Sequence, residues 1–355
     1  TVLANGVTYY ATQIINNCES INRLAVTINL INTLNATNYS ETLCDELNDG
    51  TENVSLANYN ANLISNTTGC TFEYYSTLNG ATNQISSDQI NSNYNLSIGL
   101  NTIYVRITSI NTCFQVVELR LTLVSKPIIS IADIVPMCDN SSVTVNAGTN
   151  ANTYLWSNGA TTPTITVSQT GNYSVTATHN YGLINCSTTK NFVVVLSNVA
   201  TISQIETVDW TENQNTITVY LDATSIGDYE YSIDGIHYQD SNAFTNLYGG
   251  IYYVYVKDKN NCGQVIKEVF LLNYPKFFTP NSDGYNDTWS INFSYYEKGI
   301  TTEIYDRFGK LIKVLNHREN WDGKYNGNML PSDDYWFVVN RVNGKVYKGH
   351  FTMKR

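Results

Sequence analysis

Apolar and polar residues interleave along much of the chain, most plainly over residues 24–30, 102–107, 119–124, 216–221 and 252–256. Side chains of a strand point alternately to opposite faces, so this pattern predicts β-strands buried on one side. No segment keeps helical spacing for more than two turns. Between the runs lie clusters of Asn, Asp, Gly and Ser, which make turns because Gly reaches positive φ and Asn and Asp bond their own backbone. The fold class expected is all-β.

A longer period overlies the short one. A Gly, a Tyr, an alternating run and a Cys recur as Gly6, Tyr9, Cys18; Gly99, Tyr104, Cys113; Gly171, Tyr173, Cys186; and Gly250, Tyr252, Cys262. Tyr335 opens a fifth copy without the Cys. The tyrosines are 95, 69, 79 and 83 residues apart, the size of one small sandwich. Each Tyr fits a tyrosine corner, in which the hydroxyl returns to the backbone near the start of a strand. The expectation is therefore tandem Ig-like antiparallel β-sandwich modules. Residues 1–33 read as the last strands of a truncated module and 34–126 as an Ig-like module. Residues 127–198 read as an Ig-like or PKD-like module, 199–273 as another Ig-like module and 274–355 as a terminal one.

Composition narrows the class. Only 14% of the 355 residues are charged and the net charge is -10. A chain this poor in Lys and Arg lacks the clustered cations that phosphate contacts need, which argues against nucleic acid as a partner. The longest apolar runs fall short of the roughly 18 residues that span a membrane. The first residue is Thr1, with no basic and apolar leader after it, so an export signal is expected upstream. Seven cysteines without metal-site spacing suggest disulfides and an extracytoplasmic location. The simplest pairs within modules are Cys44 with Cys113 and Cys138 with Cys186. Cys18 would pair upstream, and Cys70 and Cys262 are left without a partner.

Little points to catalysis. His179, His237, His317 and His350 are scattered over the chain, with no nucleophile at a known spacing. One loop gathers side-chain oxygens around a glycine: Asn281, Asp283 and Asp287 flank Gly284 as calcium ligands would, although an Asx turn accounts for the same string. No other cofactor is indicated.

From residue 275 the chain changes character. Its last 81 residues hold 12 of the 20 Lys and Arg against nine acids, a local charge of +3, while the rest carries -13. Trp289, Trp321 and Trp336 also lie here. Five ordered strings, YPKFFTPNSDGYNDTW (274–289), IYDRFGK (304–310), WDGKYNG (321–327), LPSDDYWF (330–337) and KGHFTMKR (348–355), resemble the gliding-motility-associated C-terminal domain. That family is the type B sorting domain of the type IX secretion system of Bacteroidota. Ser282 stands where the family usually has Gly, a substitution that is strained if the turn needs positive φ. Looser strings upstream are similar to the repeated modules of very large surface adhesins of these bacteria, among which SprB is the best known.

The resemblance implies that the terminal module is an address and an anchor. It would be recognised by type IX translocon components and held at the cell surface, associated with the outer membrane, by a SprF/PorP-like outer-membrane β-barrel. Upstream modules would meet an extracellular glycan or another surface ligand. Excess positive charge suits an acidic partner, and aromatic residues in basic surroundings are common anchors. The binding candidates are Lys276, Arg307, Lys310, Trp321, Lys324, Lys348, Lys354 and Arg355. Trp289 and Trp336, set in strand-like runs, are expected in the core. Trp156 and Trp210 are stacking candidates for a glycan, although their strand context favours burial. The function expected is that of a surface adhesin involved in gliding or attachment. The alternative is the stalk and address of a secreted polysaccharide-degrading enzyme whose catalytic domain lies upstream.

Overall fold

A computed structural model describes residues 3–29, 34–109 and 114–355 of the chain. Nearly all its regular structure is strand; the longest of the short helices, Leu78–Asn83, has six residues and is capped by the Thr77 hydroxyl, which accepts from Gly80 N–H. The chain divides into two compact units: Thr1–Ala132 with Val145–Ile165 and Tyr173–Asn191, and Asp133–Thr144 with Thr166–Asn172 and Phe192–Arg355.

The first unit contains a five-stranded sheet in the order Tyr39–Cys44, Gln115–Val124, Gly99–Ser109, Cys70–Tyr75, Gln89–Ile90. Alternation places Ile103, Val105 and Ile107 on the same face as Val117, Leu119, Leu121 and Leu123, and this face is buried. Opposite it, Thr51–Ser55 pairs with Asn93–Ser97, and Leu56 and Leu96 close the core. Elsewhere in this unit Thr8–Ala11 pairs with Leu24–Thr27, and Thr153–Trp156 pairs with residues 175–178. Trp156 is buried and its indole N–H donates to Thr162 O at 2.7 Å, so it is a core residue and not an exposed stacking platform.

In the second unit, Ile202–Val208, Asn215–Leu221 and Ala243–Leu247 form one sheet, and Tyr229–Ser232, Gly250–Asp258 and Gln264–Leu271 form another. Ile217, Val219, Val254, Val256 and Leu271 fill the space between them. The C-terminal sheet runs Phe277–Phe278, Val346–Met353, Asp333–Asn340, Thr301–Tyr305, Leu311–Asn316. In three places an opening strand lies parallel to a closing one: Tyr39–Cys44 beside 119–124, Ile134–Cys138 beside 193–197, and Phe277–Phe278 beside 352–353. The chain is all-β and Ig-like.

The tyrosine corner is present at Tyr252 and Tyr335, whose hydroxyls donate to Tyr248 O and Pro331 O, each at 3.0 Å. Tyr104 instead sits mid-strand opposite Tyr75 and Glu118. The disulfides differ from the pairing expected. Cys44 is bonded to Cys186, and Cys138 to Cys262; Cys113 lies outside the described residues. Closeness along the chain is a poor guide here, because both bonds reach from the end of an opening strand to a cysteine at the start of, or just before, a later strand. Cys18 and Cys70 are free thiols.

Candidate functional site

The C-terminal sandwich is built on aromatic rings. Trp289 stacks on Phe351 with centroids 3.8 Å apart, and Trp321 meets Phe278 and Tyr335. The two tryptophans bond each other's backbone, Trp289 N–H to Trp321 O and Trp321 N–H to Trp289 O, both at 2.8 Å. Their indoles are satisfied by Pro275 O and Lys324 O, each at 2.9 Å. Buried N–H groups need such partners, and both rings are thereby fixed inside the core. Gly349 is required beside them, because a Cβ there would meet the Phe337 ring at 2.6 Å.

Two tryptophan assignments therefore change. Trp321, a binding candidate, is 1% exposed and structural. Trp336, expected in the core, is 43% exposed, because Tyr335, Phe337 and Val339 take the inward positions of the strand Asp333–Asn340. Trp289 is buried as expected. Residues 335–339 are apolar at both parities, so alternation alone does not choose the inward face.

The loop at 281–287 is a set of nested Asx turns. Ser282 and Gly284 N–H donate to the two carboxylate oxygens of Asp287, Tyr285 N–H donates to Asp283 Oδ1, and Asn281 Nδ2 donates to Asp283 Oδ2. The Tyr285 amide, followed by Asn281, holds the Asp283 carboxyl below its usual range. Among the described residues, no group of three or more His, Cys, Asp or Glu is placed to hold a metal ion. Ser282 has φ +63°, a left-handed conformation that costs a non-glycine residue roughly 1–2 kcal/mol. Ser282→Gly is expected to stabilise the protein by about 0.5–1 kcal/mol, after the extra chain entropy of Gly is subtracted. Thermal unfolding checks this, and an unchanged or lower melting temperature would count against the strained turn.

The loop, the turn at 322–324 and the C-terminus together line an open cleft of about 340 Å³, with Lys324 and Arg355 among its walls. Arg355 Nη2 donates to Gly323 O at 3.1 Å and its backbone N–H to Ser332 Oγ at 3.0 Å, so the last residue is tied in. Lys324 is paired with Asp322 at 3.0 Å, Arg307 with Asp333 at 3.5 Å, and Lys310 lies 4.3 Å above the Tyr325 ring. Away from this cleft, Lys276 covers Tyr274 and Lys354 covers Phe277, while Lys348 projects from Val346–Met353. The basic candidates are all exposed, but they occupy more than one surface.

A second polar feature had no signal in the sequence. Arg341, turned inward at the end of Asp333–Asn340, donates to Asp209 Oδ2 at 2.6 Å and to Glu297 Oε2 at 2.7 Å, and all three side chains are less than a tenth exposed. Glu297 also accepts Val342 N–H, and Asp209 accepts Leu272 N–H. Burial pushes the Asp209 carboxyl up, against the opposing pull of Arg341. Beside this triad the half-buried Trp210 stacks on Tyr347 with centroids 4.2 Å apart. Arg341 is 132 residues from Asp209 and 44 from Glu297 in sequence, and no local pattern links them.

Comparison with known proteins gives two family matches, each covering about a quarter of the chain. Residues 272–353 match the CHU_C type IX secretion signal domain, and residues 38–127 match the Flavobacterium inter-domain disulphide bond domain. Cys44 lies within the second segment and its partner Cys186 outside it. No curated protein matches the chain. Among solved structures, Sidekick-1 immunoglobulin domains 1–5 show 12% identity over 91% of this chain and 80% of that one, with TM-score 0.26. The four N-terminal Ig domains of Dscam1 isoform 1.9 show 10% identity over 75% and 80%, with TM-score 0.22. SGBP-B of the Bacteroides ovatus mixed-linkage glucan utilization locus, in complex with a mixed-linkage heptasaccharide, shows 10% identity over 91% and 96%, with TM-score 0.18. At these scores the structural likeness carries no argument. Among the described residues no helix is long and apolar enough to cross a membrane. The family matches support a secreted surface protein that carries a type IX sorting signal at its C-terminus.

Proposed function

We propose that the chain is the C-terminal region of a cell-surface adhesin serving attachment or gliding. In this reading the all-β part upstream of residue 272 is a stapled stalk, and the C-terminal sandwich addresses the chain to the type IX machinery and then anchors it to an outer-membrane β-barrel of the SprF/PorP kind. The observation that carries the reading is the match of residues 272–353 to a type IX secretion signal domain, in a segment that folds as a closed sandwich with exposed cations on its surface. The two disulfides fit a stalk that has to keep its form outside the cell. The acidic stalk and basic end favour an acidic partner for the end alone, since charge complementarity sets encounter and orientation.

Deletion of residues 272–355 tests this in a bacterium with type IX secretion. The truncated chain is expected to be made, to keep the Cys44–Cys186 bond, and to be missing from the cell surface. Surface display of the truncated chain at the level of the full one would overturn the proposal.

A further inference from the structure

An open cleft of about 430 Å³ on the C-terminal sandwich shares no lining residue with the one beside the loop at 281–287. Its volume falls within the roughly 300–1,000 Å³ of small-molecule sites. Its walls come from 290–295, which enters the short turn Ser294–Tyr296, and from 317–320, just after the edge strand Leu311–Asn316. Phe293 packs on the core with φ +67°, a backbone conformation that a bulky residue rarely keeps. From that fixed point the turn carries Tyr295 and Tyr296 outward, 56% and 43% exposed. Backbone strain of this kind clusters at ligand sites.

The polar groups around Tyr295 are left open by the chain. The Ser290 hydroxyl, the Asn320 amide, the His317 ring, the Arg318 guanidinium and the hydroxyls of both tyrosines have no hydrogen-bond or ion-pair partner among the described residues. Nearby loop side chains behave differently: Asp306, Asn316 and Asp322 accept N–H groups of their own turns. Arg318 lies 5.0 Å over the Tyr295 ring and His317 stands 6.4 Å from it, so donors and acceptors surround an aromatic surface. The rings continue beyond the cleft. Tyr296 is 5.6 Å from Tyr295 and 6.3 Å from Phe270, and Tyr253 follows on the outward face that Phe270 shares. Charge has no single sign here: Arg318 is followed by Glu319, which accepts Asn316 N–H and keeps its charge, and Glu268 accepts the Tyr253 hydroxyl.

We infer that this cleft binds an uncharged sugar unit of a polysaccharide, packed on Tyr295 with its hydroxyls bonded to Ser290, His317, Arg318 and Asn320. The rings of Tyr296 and Phe270 take the next units of the same chain. A sugar ring has apolar C–H faces and a rim of hydroxyls, which matches an aromatic surface among side chains that both donate and accept. Mixed charge gives an acidic sugar no advantage over a neutral one. A peptide fits less well, because its anchors need an apolar slot, and Ile291, the aliphatic residue of the lining, is 3% exposed and already packed. The site stands apart from the proposed anchoring role and does not require it.

The test presents the purified full chain with three immobilised probes. They are neutral oligosaccharides of glucose, galactose, mannose or N-acetylglucosamine, lipopolysaccharide from a type IX-secreting bacterium, and a random peptide library. The chain is expected to bind a sugar probe: the oligosaccharides alone if the polysaccharide lies in the surroundings, the lipopolysaccharide if it lies on the producing cell. Tyr295→Ala is expected to weaken that binding by about tenfold and Asn320→Ala by a smaller factor, while Tyr295→Phe, which keeps the ring, retains most of it. Both side chains point outward, so the purified variants should melt like the wild type. Affinity should hold as salt rises from about 50 to 500 mM, since screening weakens only charge pairing. Wild-type affinity in both alanine variants would overturn the inference, as would binding confined to the peptides, no binding to either sugar probe, or a tenfold loss on raising the salt.

Discussion

Replacing Arg341 with Ala is expected to destabilise the second unit by about 3–5 kcal/mol, because it leaves two carboxylates buried without their cation. For a unit of this size that corresponds to a fall in melting temperature of roughly 10 °C. Asp209 and Glu297 both converge on this one guanidinium, and each is also held by a backbone N–H. The sign of the pH dependence follows from burial. The Asp209 carboxyl is raised even in the intact triad. A carboxyl with a raised pKa in the folded state favours folding when protonated, and that contribution is lost as the pH climbs through the folded pKa. The deficit of Arg341→Ala is therefore expected to be greatest near neutrality and to shrink as the pH falls through the raised folded-state pKa of the buried carboxyl. Replacing Arg341, Asp209 and Glu297 together with apolar residues of similar volume should recover most of the loss, since no unpaired charge then remains. Thermal unfolding of the purified chain at two pH values checks both statements. A deficit independent of pH would contradict the buried-charge explanation.

Loss of the Cys44–Cys186 bond should have a comparable effect, confined to the first unit. The bond closes 142 residues, and loop-closure entropy sets a ceiling of about 5 kcal/mol on its stabilisation. The measured value should lie between about 2 kcal/mol and that ceiling, because folded sheet inside the loop already restricts it. In hydrogen exchange, Cys44→Ser with Cys186→Ser is expected to deprotect amides of 34–109 and 173–191 and to leave those of 199–355 unchanged. The reverse should hold for Cys138 and Cys262, which close 124 residues within the second unit. Uniform deprotection by either pair would show that the bonds do not act within the units that contain them.

The strands were legible because alternation is a local property. The runs at 102–107, 119–124, 216–221 and 252–256 fall inside Gly99–Ser109, Gln115–Val124, Asn215–Leu221 and Gly250–Asp258. At Ser282 the family resemblance, which has Gly there, raised the question of a positive φ without deciding it, and the structure gives +63°. Pairings decided by the third dimension were not legible. Chain proximity favoured Cys44 with Cys113, whereas the fold carries Cys44 to Cys186. Trp321 and Trp336 exchanged places for a related reason: the bridge to Trp289 draws Trp321 inward, and Phe337 packing on Gly349 sets the parity that turns Trp336 out. The Arg341 triad left no trace, since a lone Arg near a surface turn looks like any solvated cation. For the basic candidates, composition points to a segment of the chain but does not say which face each side chain occupies.

The most direct test of the account is transfer of the address. Residues 272–355, with the 199–271 segment that supplies Asp209 and Trp210 to the triad and the stack, can be fused behind a periplasmic reporter in a type IX-secreting bacterium. The account predicts that the reporter reaches the outer surface and stays there, accessible to protease on intact cells. A reporter that remains in the periplasm, while the same fusion is folded when purified, would contradict it.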